Sequence, residues 1–320
     1  VVTGIVYGPL AARHGGAATV KLLKKAGMIY VWATVLTLTA PIVAHWLNLG
    51  WDDPLKSRTV PEFVVSVVTL HLTYHLTDVL LLYVLLFGFA GLIIVSMVDG
   101  HTTAVLITSW AVWGLWQTAS DYPAPWDIQA MNVFQFAAWQ ALFVSGIALG
   151  LHRQALARRF PSGWPRAALL AGGLGLAGAI LSFHLRAINR TLGATAATHL
   201  VSKSDLAIGR LVVFVFLAAF AFGLATLAWQ PLRAALGWLL IPVGQHSLTA
   251  YILHIGVVMA VAKLGLFIFG QSAHTSNQNV LLQLAGVLLV WGLIHALSAL
   301  RVRRTGLLPA RARYATVHQT

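Results

Sequence analysis

The chain has no cysteine and only 8 acidic residues among its 320. The first absence removes disulfides and thiol nucleophiles, although it does not fix the compartment. The second belongs to a wider shortage: charged residues make up 9% of the chain, where a soluble domain carries about 25%. Water is therefore not the main solvent of this surface. No phosphate-binding glycine loop, zinc-protease signature or nucleophile elbow is present. The run "GGLGLAG" (172–178) lies inside an apolar segment with no strand before it, and close helix packing accounts for its small residues. There is no internal repeat, so the inverted-repeat signature of many transporters is missing.

What is present is apolar: 58% of the residues are hydrophobic, in several runs of the length that crosses a bilayer as helix. These runs predict an all-α, polytopic membrane helix bundle. Complete spans fall near 26–47, 77–98, 101–119, 130–151, 165–184, 207–229, 238–264 and 279–300, which makes eight. The chain opens at Val1 inside an apolar stretch with no basic n-region or cleavage signal. It reads as the end of a truncated N-terminal span, with about ten spans expected in the full protein. Residues 62–75, apolar but carrying two histidines, suit an interfacial or re-entrant helix.

The net charge of +13 would suggest nucleic acid in a soluble protein, but its placement argues for membrane topology. Arg13, Lys21, Lys24 and Lys25 form one cluster, Arg153, Arg158, Arg159 and Arg166 a second, and Arg301 to Arg313 a third. Under the positive-inside rule these segments are cytoplasmic, and loops 48–76, 120–129, 185–206 and 265–278 face outward. Arg186, Arg190 and Lys203 weaken that asymmetry a little. Residues 1–300 read as a single transmembrane domain, and 301–320 as a disordered basic tail.

Four groups of polar residues stand out against this background. In "HLTYHLTD", His71, His75 and Asp78 share one face if the segment is helical. Such a set can lie at a wet helix end, build a polar substrate site, or hold a metal. In "GQHSLTAYILH", Ser247, Tyr251 and His254 form one helical stripe opening after Pro242 and Gly244. Interhelical hydrogen bonding explains it, and so does a cavity lining. Ser247 and His254 stand about 10 Å apart along the axis, too far for direct proton transfer. Lys203 and Arg210 flank a span entry, where snorkelling competes with anion binding. Asn132, Gln135, Trp139 and Gln140 repeat at helical spacing inside a span, as packing glue or as a binding wall.

Taken in order, "GIVYG" (4–8), "TDVLLLYVLL" (77–86), "FAAWQALFVSGIALG" (136–150), "SKSDLAIGRLVVFVFLA" (202–218) and "VGQHSLTAYILH" (243–254) resemble the OpgC family. These membrane acyltransferases succinylate osmoregulated periplasmic glucans. The "HSLTAYILH" stretch is also similar to the Ser–aromatic–His signature of the wider acyltransferase-three superfamily. The resemblance implies an inner-membrane O-acyltransferase that takes an acyl group from cytoplasmic acyl-CoA, with succinyl-CoA as the expected cosubstrate and no metal. The implied partners are periplasmic glucan or another polysaccharide, together with membrane lipid and no nucleic acid.

The superfamily's catalytic histidine follows an arginine by eleven residues. No arginine here has a histidine at that distance, so that motif is expected before Val1. Asp78 matches the family's aspartate and is an expected catalytic residue; His75, which has no counterpart in the family pattern, joins it as a histidine near it in sequence. Leu81 and Leu82 stand where the family usually has Leu-Pro, so a less kinked helix start is expected. Lys203, Arg210, Ser247, His254, Trp139 and Gln140 are the expected substrate-binding residues. The rival readings are a glycan or lipid-precursor flippase and a non-catalytic subunit of polysaccharide synthesis.

Overall fold

The computed structural model describes residues 1–51, 58–74, 77–119, 128, 134–160, 162–188, 205–270 and 275–305, with main chain only for 119, 181–188 and 301–305. The regular structure among the described residues is helical. In order the helices are α1 (Val2–Arg13), α2 (Gly15–Trp46), α3 (Val60–Val68), α4 (Asp78–Ser96), α5 (Thr102–Ala119) and α6 (Phe136–Leu151). They continue with α7 (Arg153–Arg159), α8 (Trp164–Ile188), α9 (Ile208–Leu227), α10 (Trp229–Gln245), α11 (Ser247–Phe269) and α12 (Ser276–Thr305).

Five segments among the described residues are long and apolar enough to cross a membrane. One of them is the stretch Asp78–Thr118, in which α4 and α5 are separated by a π-helical turn, Met97–His101. Gly100 within that turn has φ 92°, a conformation that a side chain would oppose. The protein is thus a multi-pass membrane protein, but length and hydropathy alone do not reach the expected eight spans.

The chain packs as two compact units. The first comprises Val1–Leu38 and Ser57–Trp229, and the second Thr39–Lys56 and Gln230–Thr320. In the first unit the neighbours of α6 set the helix directions. Its first turn meets the start of α4, through Leu81, Leu82, Phe136 and Trp139. Its far end meets the start of α5, where Thr102 Oγ1 lies 3.0 Å from His152 Nε2. So α4 and α6 run parallel, α5 runs against both, and the Gly100 turn is the reversal.

Close approach is built from small residues. A Cβ at Gly172 of α8 would lie 2.7 Å from the Phe216 carbonyl oxygen of α9, and one at Gly223 of α9 would lie 2.6 Å from the Pro165 carbonyl. The "GGLGLAG" run is a helix-packing surface, as its composition suggested.

Three expectations are corrected here. The helix expected over 62–75 ends at Val68. Leu70 takes a left-handed φ of 62°, while His71 N–H donates to the Ser66 carbonyl and Leu70 N–H to the Val67 carbonyl. This is a Schellman ending with leucine in the position that glycine usually fills. At the other end of α3, Thr59 N–H donates to Glu62 Oε2 at 3.0 Å. That bond, with help from the Thr59 side chain, holds the Glu62 carboxyl below its usual range.

The span expected from 238 begins instead at Ser247, because the helix breaks at His246. Pro242 and Gly244 belong to the last turns of α10 rather than opening α11. Finally, α12 continues through Thr305, so the first residues of the expected tail are helical.

Candidate functional site

The first turn of α4 puts a carboxylate where the chain is most apolar. Asp78 is 2% exposed, and its Oδ1 accepts the Val79 N–H at 2.8 Å. A carboxylate at such depth is costly and is ordinarily retained for function.

The approach to it is a bed of hydroxyls. Thr77 is fully buried, with its hydroxyl 3.0 Å from the Tyr74 carbonyl and accepting the Tyr74 N–H at 3.2 Å. Its oxygen also lies 2.7 Å from Thr37 Oγ1 of α2 and 3.2 Å from Thr73 Oγ1. Either hydroxyl can be the donor in the short Thr37–Thr77 contact. The non-helical stretch before α4 is thereby tied to α2, and Asp78 N–H reaches back to the Tyr74 carbonyl at 3.1 Å.

Trp139 of α6 connects this helix start to a second one. Its ring packs against the cluster of Leu81, Leu82 and Leu86, and also against that of Ala138, Leu206 and Leu211. Arg210 is half-buried in the first turn of α9, next to this second cluster. The segment leading into α9 is fastened to the end of α5. Trp113 Nε1 donates to the Leu206 carbonyl at 3.2 Å, Trp116 Nε1 to Asp205 Oδ1 at 3.3 Å, and Gln117 Nε2 to the Asp205 carbonyl at 2.6 Å. Trp110 and Trp113 meet edge to face, so this end of the unit is walled by tryptophan.

Gln140 lies one turn beyond Phe136 and is buried. Its Oε1 accepts the Ser109 hydroxyl at 2.6 Å, while its Nε2 donates to the Ser109 carbonyl at 2.7 Å. This two-way clasp is interhelical glue, the plainer of its two sequence readings. Such bonds contribute roughly 0.6–1.7 kcal/mol in membrane bundles. Gln140→Ala is accordingly expected to destabilise the protein by about 1 kcal/mol, read as a lowered unfolding midpoint in detergent.

The clasp also forms part of the wall of a cavity of about 600 Å³ between α4, α5 and α6. Leu86, Phe89 and Phe143 supply apolar walls, and Ser96 and His101 mark the opposite end. The volume falls within the range of small-molecule sites.

His71 and Asp78 do not share one helix. His71 sits in the bend after α3, with Nδ1 2.9 Å from Thr69 Oγ1, while Asp78 begins a separate helix. His75 and Lys203 lie outside the described residues. Asp78, Trp139, Gln140 and Arg210 all belong to the first unit, whereas Ser247 and His254 belong to the second. There Ser247 opens α11 exposed, and the Tyr251 and His254 rings stand 6.0 Å apart. Among the described residues no group of three His, Cys, Asp or Glu side chains is placed to hold a metal.

Thr37, Thr73, Thr77, Ser109, Gln117 and Asp205 were not legible as site residues. Each is a common residue type whose partner lies far off in sequence or in an irregular turn. The close spacing of Trp110, Trp113 and Trp116 along the chain was the one available signal.

A family model, that of the OpgC protein, matches residues 1–302. No curated protein matches the chain, and no solved structure does.

Proposed function

Because the chain belongs to the OpgC protein family, we propose that it is a membrane O-acyltransferase. It moves an acyl group, succinyl in this reading, from cytoplasmic acyl-CoA to hydroxyls of periplasmic glucan or a similar extracytoplasmic polysaccharide. The basic ends of the spans face the cytoplasm and the tryptophan-walled end faces the periplasm of the inner membrane. The main support is the buried Asp78 carboxylate, set among threonine hydroxyls at the start of an apolar span.

The reaction needs a base, an acyl carrier path and an acceptor surface. A glucan hydroxyl attacks the thioester carbonyl. The new C–O ester bond forms, the C–S bond breaks, and the hydroxyl proton passes through the base to the departing thiolate. Asp78 takes that proton or orients the histidine that does, with His75 the nearest histidine in sequence. Arg210 suits the free carboxylate of a succinyl group, because guanidinium binds carboxylate in a bidentate fork. Lys203, two residues before the anchored segment begins at Asp205, serves the same charge. Trp139 and the Trp110–Trp113 pair offer flat apolar faces for sugar rings, with Gln140 and Gln117 as polar neighbours. Ser247 and His254 contribute a polar stripe on α11 for the donor.

The test is the mass of periplasmic glucans from a strain lacking its own copy of the gene. With the full-length protein restored, the glucans are expected to gain the mass of the acyl group. Unmodified glucans with the protein present in the membrane would sink the proposal, leaving a flippase or a non-catalytic subunit.

A further inference from the structure

Towards the opposite end of the first unit, positive charge stands beside the middle of an apolar helix. Lys21, Lys24 and Lys25 of α2 stand at i, i+3 and i+4 and share one face. The pairing of α2 with α4 fixes their level. Gly15 lies against Val95, Thr19 against Gly91, and Thr37 against Thr77, so the two helices run antiparallel. Between these pairs, Lys25 Nζ sits 4.5 Å over the centre of the Phe87 ring. Phe87 is the midpoint of α4 (Asp78–Ser96), about 14 Å of helix from either end. The lysine face therefore runs beside Phe87–Gly91, within the apolar length of the bundle.

Nothing acidic on these helices answers that charge. The first acidic residue in the chain is Asp52, the one acid of α4 is Asp78 at its far end, and Asp99 lies in the turn beyond its near end, twelve residues from Phe87. Lys25 is half-buried, and Lys21 and Lys24 are exposed. Three like charges on one helix face, one of them held against an apolar ring, are offset by a bound anion. The Phe87 ring that fixes Lys25 also meets Phe143 edge to face at 5.8 Å, and Phe143 is a wall of the cavity described above. The lysine face and the cavity are thus one layer of rings apart.

We propose that Lys21, Lys24 and Lys25 bind phosphate groups, those of the coenzyme A thioester donor, as a polyanion site on the cytoplasmic side. This rests on the acyltransferase reading given above. Lysine binds phosphate as a mobile point charge with three donors, and the Phe87 face keeps the Lys25 ammonium in position. The length of α4 from Phe87 to Asp78 then separates the phosphates from the base, as the extended arm of such a donor requires.

Phospholipid headgroups carry the same chemistry, and the test separates the two sources. The full-length protein, reconstituted in zwitterionic vesicles, is compared with a variant carrying Lys21→Gln, Lys24→Gln and Lys25→Gln. Calorimetric binding of coenzyme A itself is expected to weaken about tenfold for each lysine–phosphate bond removed. The ratio of kcat/KM for a coenzyme A thioester over the phosphate-free pantetheine thioester should fall with it. The matching triple Lys→Arg variant should restore both, which a folding defect would not do.

Unchanged coenzyme A binding and an unchanged donor ratio would overturn the proposal. So would a lysine effect that appears only when anionic phospholipid is added, which would assign the site to lipid. Lysine-dependent binding of coenzyme A without transfer to any glucan would uphold this site while defeating the acyltransferase reading.

Discussion

Asp78→Asn is expected to lower acyl transfer by roughly 10²–10⁴-fold, the contribution of a positioned general base, at matched levels in the membrane. Asparagine keeps the size of the side chain and an acceptor oxygen, so the Val79 N–H retains its partner. It cannot accept a proton in the reaction or fix the charge of a neighbouring imidazolium. The threonine bed of Thr37, Thr73 and Thr77 is untouched by the change, because its bonds run to Tyr74 and to one another. The readout is the initial rate of glucan acylation, with thermal unfolding in detergent as the companion measurement. A fall in rate with an unchanged unfolding midpoint is the expected pattern. Full activity in Asp78→Asn would reduce Asp78 to a structural role.

Gly172→Leu is expected to produce the largest loss of stability, about 3 kcal/mol or more. The contact at Gly172 is against main chain: a Cβ there would lie 2.7 Å from the Phe216 carbonyl oxygen and 2.8 Å from Phe220 Cα. Side chains can turn aside, but these atoms move only if α8 and α9 separate. Gly178 is the internal comparison, six residues along α8, where an added Cβ meets nothing within 4 Å. Gly178→Ala should be neutral or stabilise by about 0.5–1 kcal/mol, the usual helix-interior gain over glycine. Equal unfolding midpoints for Gly172→Leu and Gly178→Ala would contradict the close α8–α9 packing.

The helical class of this protein was legible because long continuous apolar runs with few charges suit helices, which satisfy their own backbone in lipid. Asp78 and Gln140 were legible for the related reason that polar groups are scarce in such runs. Other features have no local signal. Leucine at position 70 gives no warning of a left-handed residue, so the end of α3 and the separation of His71 from Asp78 could not be read. Pro242 and Gly244 resemble a helix start, yet they close one helix just before the next begins. Ser109 acquires meaning only from Gln140, and Asp205 only from Trp116 and Gln117, almost ninety residues earlier. Sites assembled from distant segments are fixed by packing, which single-sequence periodicity does not encode.

The central claim is acyl transfer across the bundle. Its most direct measurement places glucan inside sealed vesicles that contain the purified full-length protein, with labelled succinyl-CoA outside. The account predicts label in ester linkage on the enclosed glucan, and none in vesicles without protein. Intact glucan after the donor has been held against the vesicles, at the level of the protein-free control, would contradict it.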